Sequence, residues 1–265
     1  MPAKRPQFPL VTLTTDFGTR DPYVAAMKGV LFHECPGLHI VDLTHEIGPQ
    51  ALVEVALFVA GAAPYYPSGT IHLVVVDPGV GTDRNAMVVK AGGQIFVCPD
   101  NGVLTLFLRQ HALEAAHCIT APSFMRTSVS PTFHGRDIFA PAAARLASGE
   151  ALASAGEVID SLVTLDLAEA KVGEDGTIRG EVIHVDWFGN CTTNLQQAMT
   201  RSGHAYQIAC GDLVLPHIHS TYADAAHGAP LALFGSSSLL EIAVRDGSAH
   251  RTLGITIGTP VVLSD

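Results

Sequence analysis

The chain has 265 residues, of which 48% are hydrophobic and 15% are charged, and its formal net charge is −10. This apolar content can offset the entropy of ordering the chain, so we exclude a disordered protein and expect up to two modest domains. The negative charge argues against a nucleic-acid partner, whose phosphates need a basic surface, and is compatible with a cationic ligand.

The first 150 residues alternate between strand and helix patterns. Strands are predicted at 10–14, 38–41 and 71–76, and the last of them is apolar except for His72. Helices are predicted at 22–34, 50–61 and 138–147, with Asp21 as the N-cap of the first and Gly149 closing the last. Residues 86–90 and 94–98 resemble a hairpin around Gly92-Gly93, and a turn follows at 99–102. The alternation predicts an N-terminal α/β domain, residues 1–165, with a mostly parallel central sheet.

From about residue 165 onward the pattern changes. A polar connector at 171–176 leads into short strand-like runs, with no convincing long helix between them. These runs lie at 180–185, 205–208, 213–215, 231–234, 239–244 and 261–263. Such a series predicts a small β-barrel or sandwich, and we assign residues 175–265 to a C-terminal β-barrel domain.

The cysteines and the N-terminal stretch indicate the compartment. The five cysteines are widely spaced and form no C-x-x-C pair, so reduced thiols are expected rather than a disulfide framework. Residues 1–15 have no apolar core of signal-peptide length, and the apolar run at 73–76 is far too short to cross a bilayer. We therefore expect a cytoplasmic protein with no membrane partner.

Acidic residues follow the predicted strands of the first half. Asp16 follows the first strand, Asp42 the second and Asp77 the third. No G-x-G-x-x-G follows the first strand, and a carboxylate stands where a pyrophosphate would need free amides, so dinucleotide binding is disfavoured. Carboxylates at this edge suit a ribose diol, a metal ion or a cation. Asp16 could instead be a loop cap and Asp42 could be structural. Asp21 could be a helix cap or could face the pocket.

Several other segments could face a pocket. His134 lies beside a glycine at the entrance of the helix predicted from Ile138. Asp186-Trp187-Phe188-Gly189-Asn190 combines aromatic faces with polar groups, which suits a nucleoside, or is an ordinary turn with Trp187 in the core. The loop Gly235-Ser236-Ser237-Ser238 contacts a ligand or is a tight turn. Four residues of metal-binding types cluster in one loop, but their spacing fits no standard site and no metal is expected: His217, His219, Asp224 and His227.

Six motifs taken together resemble the S-adenosyl-L-methionine (SAM) hydroxide adenosyltransferases, relatives of the fluorinases and chlorinases. They run in order from residue 13 to residue 244 and so cover nearly the whole chain. The motifs are Leu-Thr-Thr-Asp-Phe-Gly at 13–18 continuing to Met27-Lys28-Gly29, Val-Asp-Pro-Gly-Val-Gly-Thr-Asp-Arg at 76–84, Pro-Asp-Asn-Gly at 99–102, Phe-His-Gly-Arg-Asp-Ile-Phe-Ala-Pro at 133–141, Asp-Trp-Phe-Gly-Asn at 186–190 and Leu-Glu-Ile-Ala-Val at 240–244.

The resemblance implies a fold and an activity. It implies an N-terminal α/β domain, a C-terminal β-barrel and a homotrimer with SAM bound between subunits. The implied reaction is hydrolysis of SAM to adenosine and L-methionine, with SAM as substrate and no cofactor or metal. Asp77, Arg84 and His134 match the triad that handles the water. Asp16 matches the ribose-diol ligand. The remaining matches hold adenosine, namely Asn190, Ser236, Glu241 and Val244, or lie near the methionine end or the base, namely Asp21 and Asp186.

One residue separates hydrolysis from halogenation. The halogenases carry a tyrosine where Asp77 stands, and a halide-holding serine or glycine near Gly135. A carboxylate beside the nucleophile site would repel a halide, so Asp77 favours water. The sequence leaves open a SAM-dependent halogenase, a metal phosphohydrolase built on the three strand-end aspartates, and a non-catalytic adenosine- or SAM-binding protein. It assigns no contact to Ser237 or Ser238, where many relatives read Asn-Ser-x-Gly over 235–238.

Overall fold

The computed structural model describes residues 9–265, in two compact units that meet in sequence between Leu165 and Asp166. Residues 1–8, part of the stretch considered above for a targeting signal, lie outside the described residues. Within residues 9–265, no helix is both long enough and apolar enough to cross a bilayer.

The first unit alternates strands and helices, as the sequence predicts. Its elements are β1 (Leu10–Thr15), α1 (Tyr23–Glu34), β2 (His39–Thr44), α2 (Leu52–Ala62), β3 (Ile71–Val75), β4 (Ala86–Ala91), β5 (Gln94–Pro99), α3 (Thr105–Leu108), β6 (Leu113–Cys118) and α4 (Ala140–Ala147). A π-helical turn, Gly135–Phe139, leads directly into α4. Short 3₁₀ turns lie at Ala63–Tyr65, Pro122–Phe124 and Leu152–Ala155.

The six strands form one sheet in the order β2-β1-β3-β5-β4-β6. Strands β2, β1, β3 and β5 are parallel, while β4 is antiparallel to both of its neighbours. Alternate residues of β3, β4 and β5 enter two separate cores: α1 and α4 cover one face, and α2 and α3 cover the other. Residue Thr15 pairs with Val75, so β1 and β3 end side by side and deliver their following loops to one edge of the sheet.

His72 is the polar exception in the buried strand β3. Its ring stacks on Phe96 at 5.1 Å between centroids, and its Nδ1 lies 2.8 Å from the hydroxyl of Thr12. Burial lowers its pKa to about 4, so the ring is neutral at pH 7 and behaves as one more core side chain.

The second unit is dominated by strands. Its elements are β7 (Lys171–Val172), β8 (Ile178–Val185), β9 (Cys191–Gln196), β10 (Gln207–Cys210), β11 (Leu213–Leu215), β12 (Ile218–His219), β13 (Pro230–Phe234), β14 (Leu239–Val244), α5 (Ala249–Leu253) and β15 (Pro260–Ser264). Short 3₁₀ turns occur at Gln197–Met199 and Tyr222–Asp224.

These strands form one curved sheet. The order is β11-β10-β15-β8-β9-β14-β13-β12, with β7 paired to β8. Strand β11 at one end contacts β13 near the other end, which nearly closes the sheet around its main apolar core. The predicted α/β class with a mostly parallel sheet, followed by a small barrel, is therefore confirmed, and the sandwich alternative is wrong.

Three local expectations need correction. Helix α1 begins at Tyr23 with Pro22 in the capping position and no side-chain cap, so Asp21 lies one residue too early to cap it. Strand β2 continues to Thr44, which leaves Asp42 inside the strand, paired with Leu13, rather than at its end. The polar connector at 171–176 contains β7, because its backbone pairs with β8.

Candidate active site

Asp77, Arg84 and His134 form one chain of hydrogen bonds in the first unit. Arg84 donates to both carboxylate oxygens of Asp77, from Nε to Oδ1 at 3.0 Å and from a terminal nitrogen to Oδ2 at 2.5 Å. The same terminal nitrogen lies 2.7 Å from His134 Nδ1. The side chains of Asp77 and Arg84 are 5% and 10% exposed. The loop that carries Asp77 and Arg84 thus meets a distant segment at His134, with the guanidinium between the carboxylate and the imidazole.

The partner of His134 determines where its ring carries a proton. A guanidinium has only donors, so Nδ1 must accept and the proton of the neutral ring lies on Nε2. Burial lowers the pKa of His134, the charge of Arg84 lowers it further, and Asp77 and Asp137 oppose this. The ring is therefore neutral near pH 7. It presents an N–H at Nε2, while the Asp77 carboxylate has only acceptor oxygens.

A glycine turn brings Arg84 back to Asp77. The Val80 N–H donates to the Asp77 carbonyl at 3.2 Å, which starts the reversal of the chain just after the carboxylate. Gly81 has φ of +78°, and a Cβ there would lie 2.6 Å from the Pro131 carbonyl oxygen. The position therefore requires glycine both for its backbone angle and for the close approach of the segment before His134.

A second buried carboxylate anchors the loop that carries His134. Asp137 is fully buried, accepts two 2.7 Å hydrogen bonds from Arg136 and accepts another from the Ser130 N–H at 2.9 Å. Arg126 Nε lies 3.4 Å from it. Burial raises the pKa of Asp137, but the bonds from Arg136 and Ser130 and the nearby positive charges lower it on balance. This ion cluster fixes residues 126–137 and the π-helical turn, a rare geometry that is frequent at functional sites.

Asp137 has no role that can be read from the sequence. It lies in an identified motif, but its complete burial beside Arg136 depends on how the loop folds. The adjacent arginine was the one visible hint. The structure adds Asp137 as the residue that orders the His134 segment.

Asp16 and Asp21 occupy different environments near the same sheet edge. Asp16 follows β1, is half-buried, and accepts a 3.0 Å hydrogen bond from the Gln50 N–H. Because β1 and β3 are neighbours that end together, Asp16 and Asp77 follow adjacent strand ends. Asp21 is exposed.

Two other groups considered for metal binding are engaged elsewhere. Asp42 forms an ion pair with Lys28 at 2.5 Å and lies 3.1 Å from His45 Nε2. The Asp224 carboxylate accepts from two backbone N–H groups of its own loop, at Ser220 and Thr221. Among residues 9–265, no group of three or more potential ligands is arranged to hold a metal ion.

The second unit contains a cavity of about 920 Å³. Five residues singled out from the sequence line it: Asp186, Asn190, Ser236, Glu241 and Val244. Both carboxylate oxygens of Asp186 accept from Asn190, at 2.8 Å from its backbone N–H and 3.0 Å from its side-chain amide. The turn after β8 is thus fixed by an acid and an amide that share the cavity.

Two aromatic rings stand exposed at this cavity. Trp187 is 96% exposed and Phe188 is 72% exposed, and both line the cavity. Placement of Trp187 in the core is therefore wrong. Apolar rings held in water next to a cavity are a common sign of a surface that a ligand or another chain covers.

A further residue of the cavity, Tyr222, was missed by sequence reasoning. The Tyr222 hydroxyl donates a short hydrogen bond to Glu241 Oε1, and both residues line the cavity. Burial raises the pKa of Tyr222, and the bond to Glu241 raises it further, so the phenol keeps its proton. Tyr222 lies in a 3₁₀ turn between β12 and β13, and nothing in that segment's sequence points to a site.

Comparison with known proteins assigns the family. The model for the SAM hydroxide adenosyltransferase N-terminal domain matches residues 11–156, and the model for the C-terminal domain of the same family matches 180–262. The (R)-S-adenosyl-L-methionine hydrolase of Thermus thermophilus is 40% identical over 262 residues, covering 96% of this chain and 98% of the relative. The enzyme of the same name from Salinispora arenicola is 38% identical, covering 94% and 95%.

Solved structures and halogenating relatives agree with this assignment. The crystal structure of an uncharacterized conserved protein from Thermotoga maritima is 32% identical with a TM-score of 0.89, covering 96% of this chain and 100% of that one. Fluorinases are more distant, and that of Nocardia brasiliensis is 27% identical over 287 residues. The fold and the matches define an enzyme of the adenosyl-transferring class. The chain belongs to the SAM hydroxide adenosyltransferase family.

Proposed function

We propose that this protein hydrolyses SAM to adenosine and L-methionine by attack of water on C5′ of the ribose. The observation that carries the proposal is the continuous Asp77–Arg84–His134 hydrogen-bond chain, which joins a fixed carboxylate, a guanidinium and an imidazole. Relatives that cover nearly the whole chain are named SAM hydrolases.

The reaction needs help chiefly at the nucleophile. SAM is a sulfonium, so methionine leaves C5′ as a neutral thioether and takes the electron pair of the broken C–S bond. Bulk water has a pKa of about 15.7, so forming hydroxide beforehand at pH 7 costs roughly 12 kcal/mol. A general base that accepts the proton during attack avoids most of that cost and contributes about 10²–10⁴-fold.

The three residues have separate tasks. Asp77 accepts a hydrogen bond from the attacking water and takes its proton as the new O–C5′ bond forms. Arg84 holds both carboxylate oxygens, which fixes the direction of the acceptor. His134, with its proton on Nε2, donates to the water oxygen and completes its alignment. Water held at roughly 3–3.5 Å from C5′ gains the advantage of a near-attack geometry.

The proposed substrate contacts follow the resemblance. Asp16 binds the ribose diol. Asp21 and Asp186 lie near the methionine end or the base. Asn190, Ser236, Glu241 and Val244 hold the adenosine part. Support comes from the half-buried carboxylate of Asp16 beside the strand end that leads to Asp77, and from the shared cavity of the five residues of the second unit.

We also propose the assembly and setting of the enzyme. It acts in the cytoplasm as a homotrimer with substrate sites between subunits, uses no cofactor or metal, and has functional domains at residues 1–165 and 175–265. The exposed Trp187 and Phe188 support a neighbour or ligand that covers them. Light scattering coupled to gel filtration tests the trimer, and a monomer in solution would contradict it.

One experiment decides between the candidate reactions. The purified protein is incubated with SAM in oxygen-18 water that contains chloride and fluoride, and the products are analysed by mass spectrometry. Adenosine with one oxygen-18 at the 5′ position, together with methionine, is the expected result. A 5′-halogenated adenosine would instead identify a halogenase. Bound adenosine or SAM without turnover would identify a binding protein, and loss of activity on chelation with EDTA would contradict the metal-free mechanism.

A further inference from the structure

The turn that carries Tyr222 is held firmly against strand β14. Thr221 and Asp224 form a reciprocal capping box around the 3₁₀ turn. Arg245, the residue after β14, donates to the carbonyls of Ala223 at 2.9 Å and Ala225 at 2.6 Å. A phenol at position 222 is therefore fixed from both sides of its turn.

Three alternate residues of β14 and its end contact this turn. Side chains two apart on a strand share a face, so Glu241, Ala243 and Arg245 point the same way. Ala243 packs in a small core with Ala225, between the Glu241 contact to Tyr222 and the Arg245 contact to the carbonyls. One face of the strand thus contacts the turn along its length, and Glu241 on that face accepts the hydrogen bond from Tyr222.

The tyrosine occupies one oxygen of Glu241 and leaves the other at the cavity. The Tyr222 hydroxyl bonds Oε1, while Oε2 lies beside Gly235, where a Cβ would stand only 3.3 Å from it. Gly235 itself lines the cavity. A carboxylate held in this way has one acceptor oxygen available to a ligand in a defined direction.

A second carboxylate faces the same space. Burial raises the pKa of Glu241, the bond from Tyr222 opposes this, and repulsion from Asp186 raises it again. Two acids within reach of each other in one cavity are relieved by a cation. Arg251, which also lines the cavity, suits the opposite charge of an α-amino acid.

We infer that Tyr222 is a positioning residue that holds Glu241 so that its carboxylate, together with Asp186, binds the α-ammonium group of the methionine part of SAM. This inference rests on the proposed function. It also reassigns Glu241 from the uncharged adenosine part, where the resemblance puts it, to the charged part of the same substrate.

The test compares Tyr222→Phe with wild type on three sulfonium substrates. These are SAM, decarboxylated SAM, which keeps the ammonium, and the S,S-dimethyl sulfonium of 5′-thioadenosine, which has neither amine nor carboxylate. We expect kcat/KM to fall about tenfold for the first two, as for loss of one charge-assisted hydrogen bond, and to stay unchanged for the third. Glu241→Gln is expected to show the same selectivity with a larger loss.

The control is Tyr206→Phe. Tyr206 is a buried tyrosine of the same unit whose oxygen accepts from the Arg201 N–H, outside the cavity. This variant is expected to leave the ranking of the three substrates unchanged. Equal losses on all three substrates in Tyr222→Phe and Glu241→Gln would overturn the inference, because a general structural defect or an adenosine contact would act on each.

Failure of the proposed function would look different. If the wild-type protein binds SAM but does not hydrolyse it, the proposed function is wrong. The inference is then tested by calorimetry: Tyr222→Phe should lose affinity for the two compounds that carry the ammonium and keep its affinity for the third. If the wild-type protein binds none of them, both are overturned.

Discussion

The triad of the first unit and the cavity of the second unit differ in how complete they are. Asp77 and Arg84 are almost wholly buried and joined by two hydrogen bonds, and His134 joins them through a third. In the cavity, Trp187 and Phe188 present open rings to solvent. Under the proposed function, the groups for chemistry are set in advance, while the surfaces for recognition are completed by what binds there.

Physical chemistry explains why the two regions are built differently. A carboxylate removed from water needs partners at all times, because an unpaired buried charge is costly even when no substrate is present. An aromatic ring needs no fixed partner and gains free energy whenever a ligand covers it. Buried ionic groups are therefore paired before any ligand binds, whereas aromatic contacts can form only when a ligand arrives.

The largest expected effect is on turnover. Asp77→Asn keeps the shape of the side chain but removes its charge and basicity, so we expect kcat to fall about 10²–10⁴-fold, the usual contribution of a general base. SAM affinity, measured by calorimetry, is expected to change little.

A matched control is available on a nearby strand. Asp42→Asn removes an exposed carboxylate that pairs with Lys28 and His45 rather than with the triad. Its kcat is expected to stay near that of wild type. Near-normal adenosine release by Asp77→Asn would contradict the assignment of the chemical step to the Asp77 site.

The next effect is on binding. Trp187→Ala removes an exposed ring from the cavity, and base–aromatic stacking is worth about 1–3 kcal/mol, so the Kd for adenosine should rise about tenfold or more. Calorimetry provides the Kd, and kcat at saturating SAM should change little. Tyr65→Ala is the control, since Tyr65 is 84% exposed in the other unit. If Trp187→Ala lowered kcat and left the Kd unchanged, Trp187 would act in the chemical step and not in binding.

The smallest expected effect is on the pH dependence of kcat/KM, whose decline on the acid side is shifted to lower pH. Burial and Arg84 lower the pKa of His134, while Asp77 and Asp137 oppose them, so the ring stays neutral to below the ordinary value of about 6.5. As pH falls through that lowered pKa, Nδ1 gains a proton and cannot accept from Arg84, and kcat/KM declines. NMR of the ring nitrogens measures both pKa and tautomer, with buried His72 as an internal reference. A proton on Nδ1 at pH 7 would contradict this account.

Strand patterns were predictable where both faces are buried, as in β3, and where a glycine pair marks a hairpin, as between β4 and β5. Other elements were not. Leu113–Cys118 has the composition of a helix, rich in Leu, Ala and Glu, yet it is a strand because it pairs with β4 at the sheet edge. Cys191–Gln196 is largely polar, and its pairing with β8 and β14 decides its structure. In both segments, pairing with other strands overrides local preference.

The site shows the same division. The sequence identified Asp77, Arg84 and His134 through motifs, and identified five residues that share the second unit's cavity. It did not reveal that Arg84 also contacts His134, because that contact depends on a turn at Gly81 packing against Pro131. It also missed Asp137 and Tyr222, which form hydrogen bonds with the side chains of Arg136 and Glu241, respectively, and which belong to no recognisable catalytic pattern.

Trp187 is the sole tryptophan in the chain. Ultraviolet light at the red edge of protein absorption therefore excites one indole, located at the rim of the cavity. Its emission, that of a ring in water, would move to shorter wavelength when a ligand or a neighbouring subunit excludes solvent from it. The protein thus carries an intrinsic optical reporter at the place where occupancy matters, with no label required.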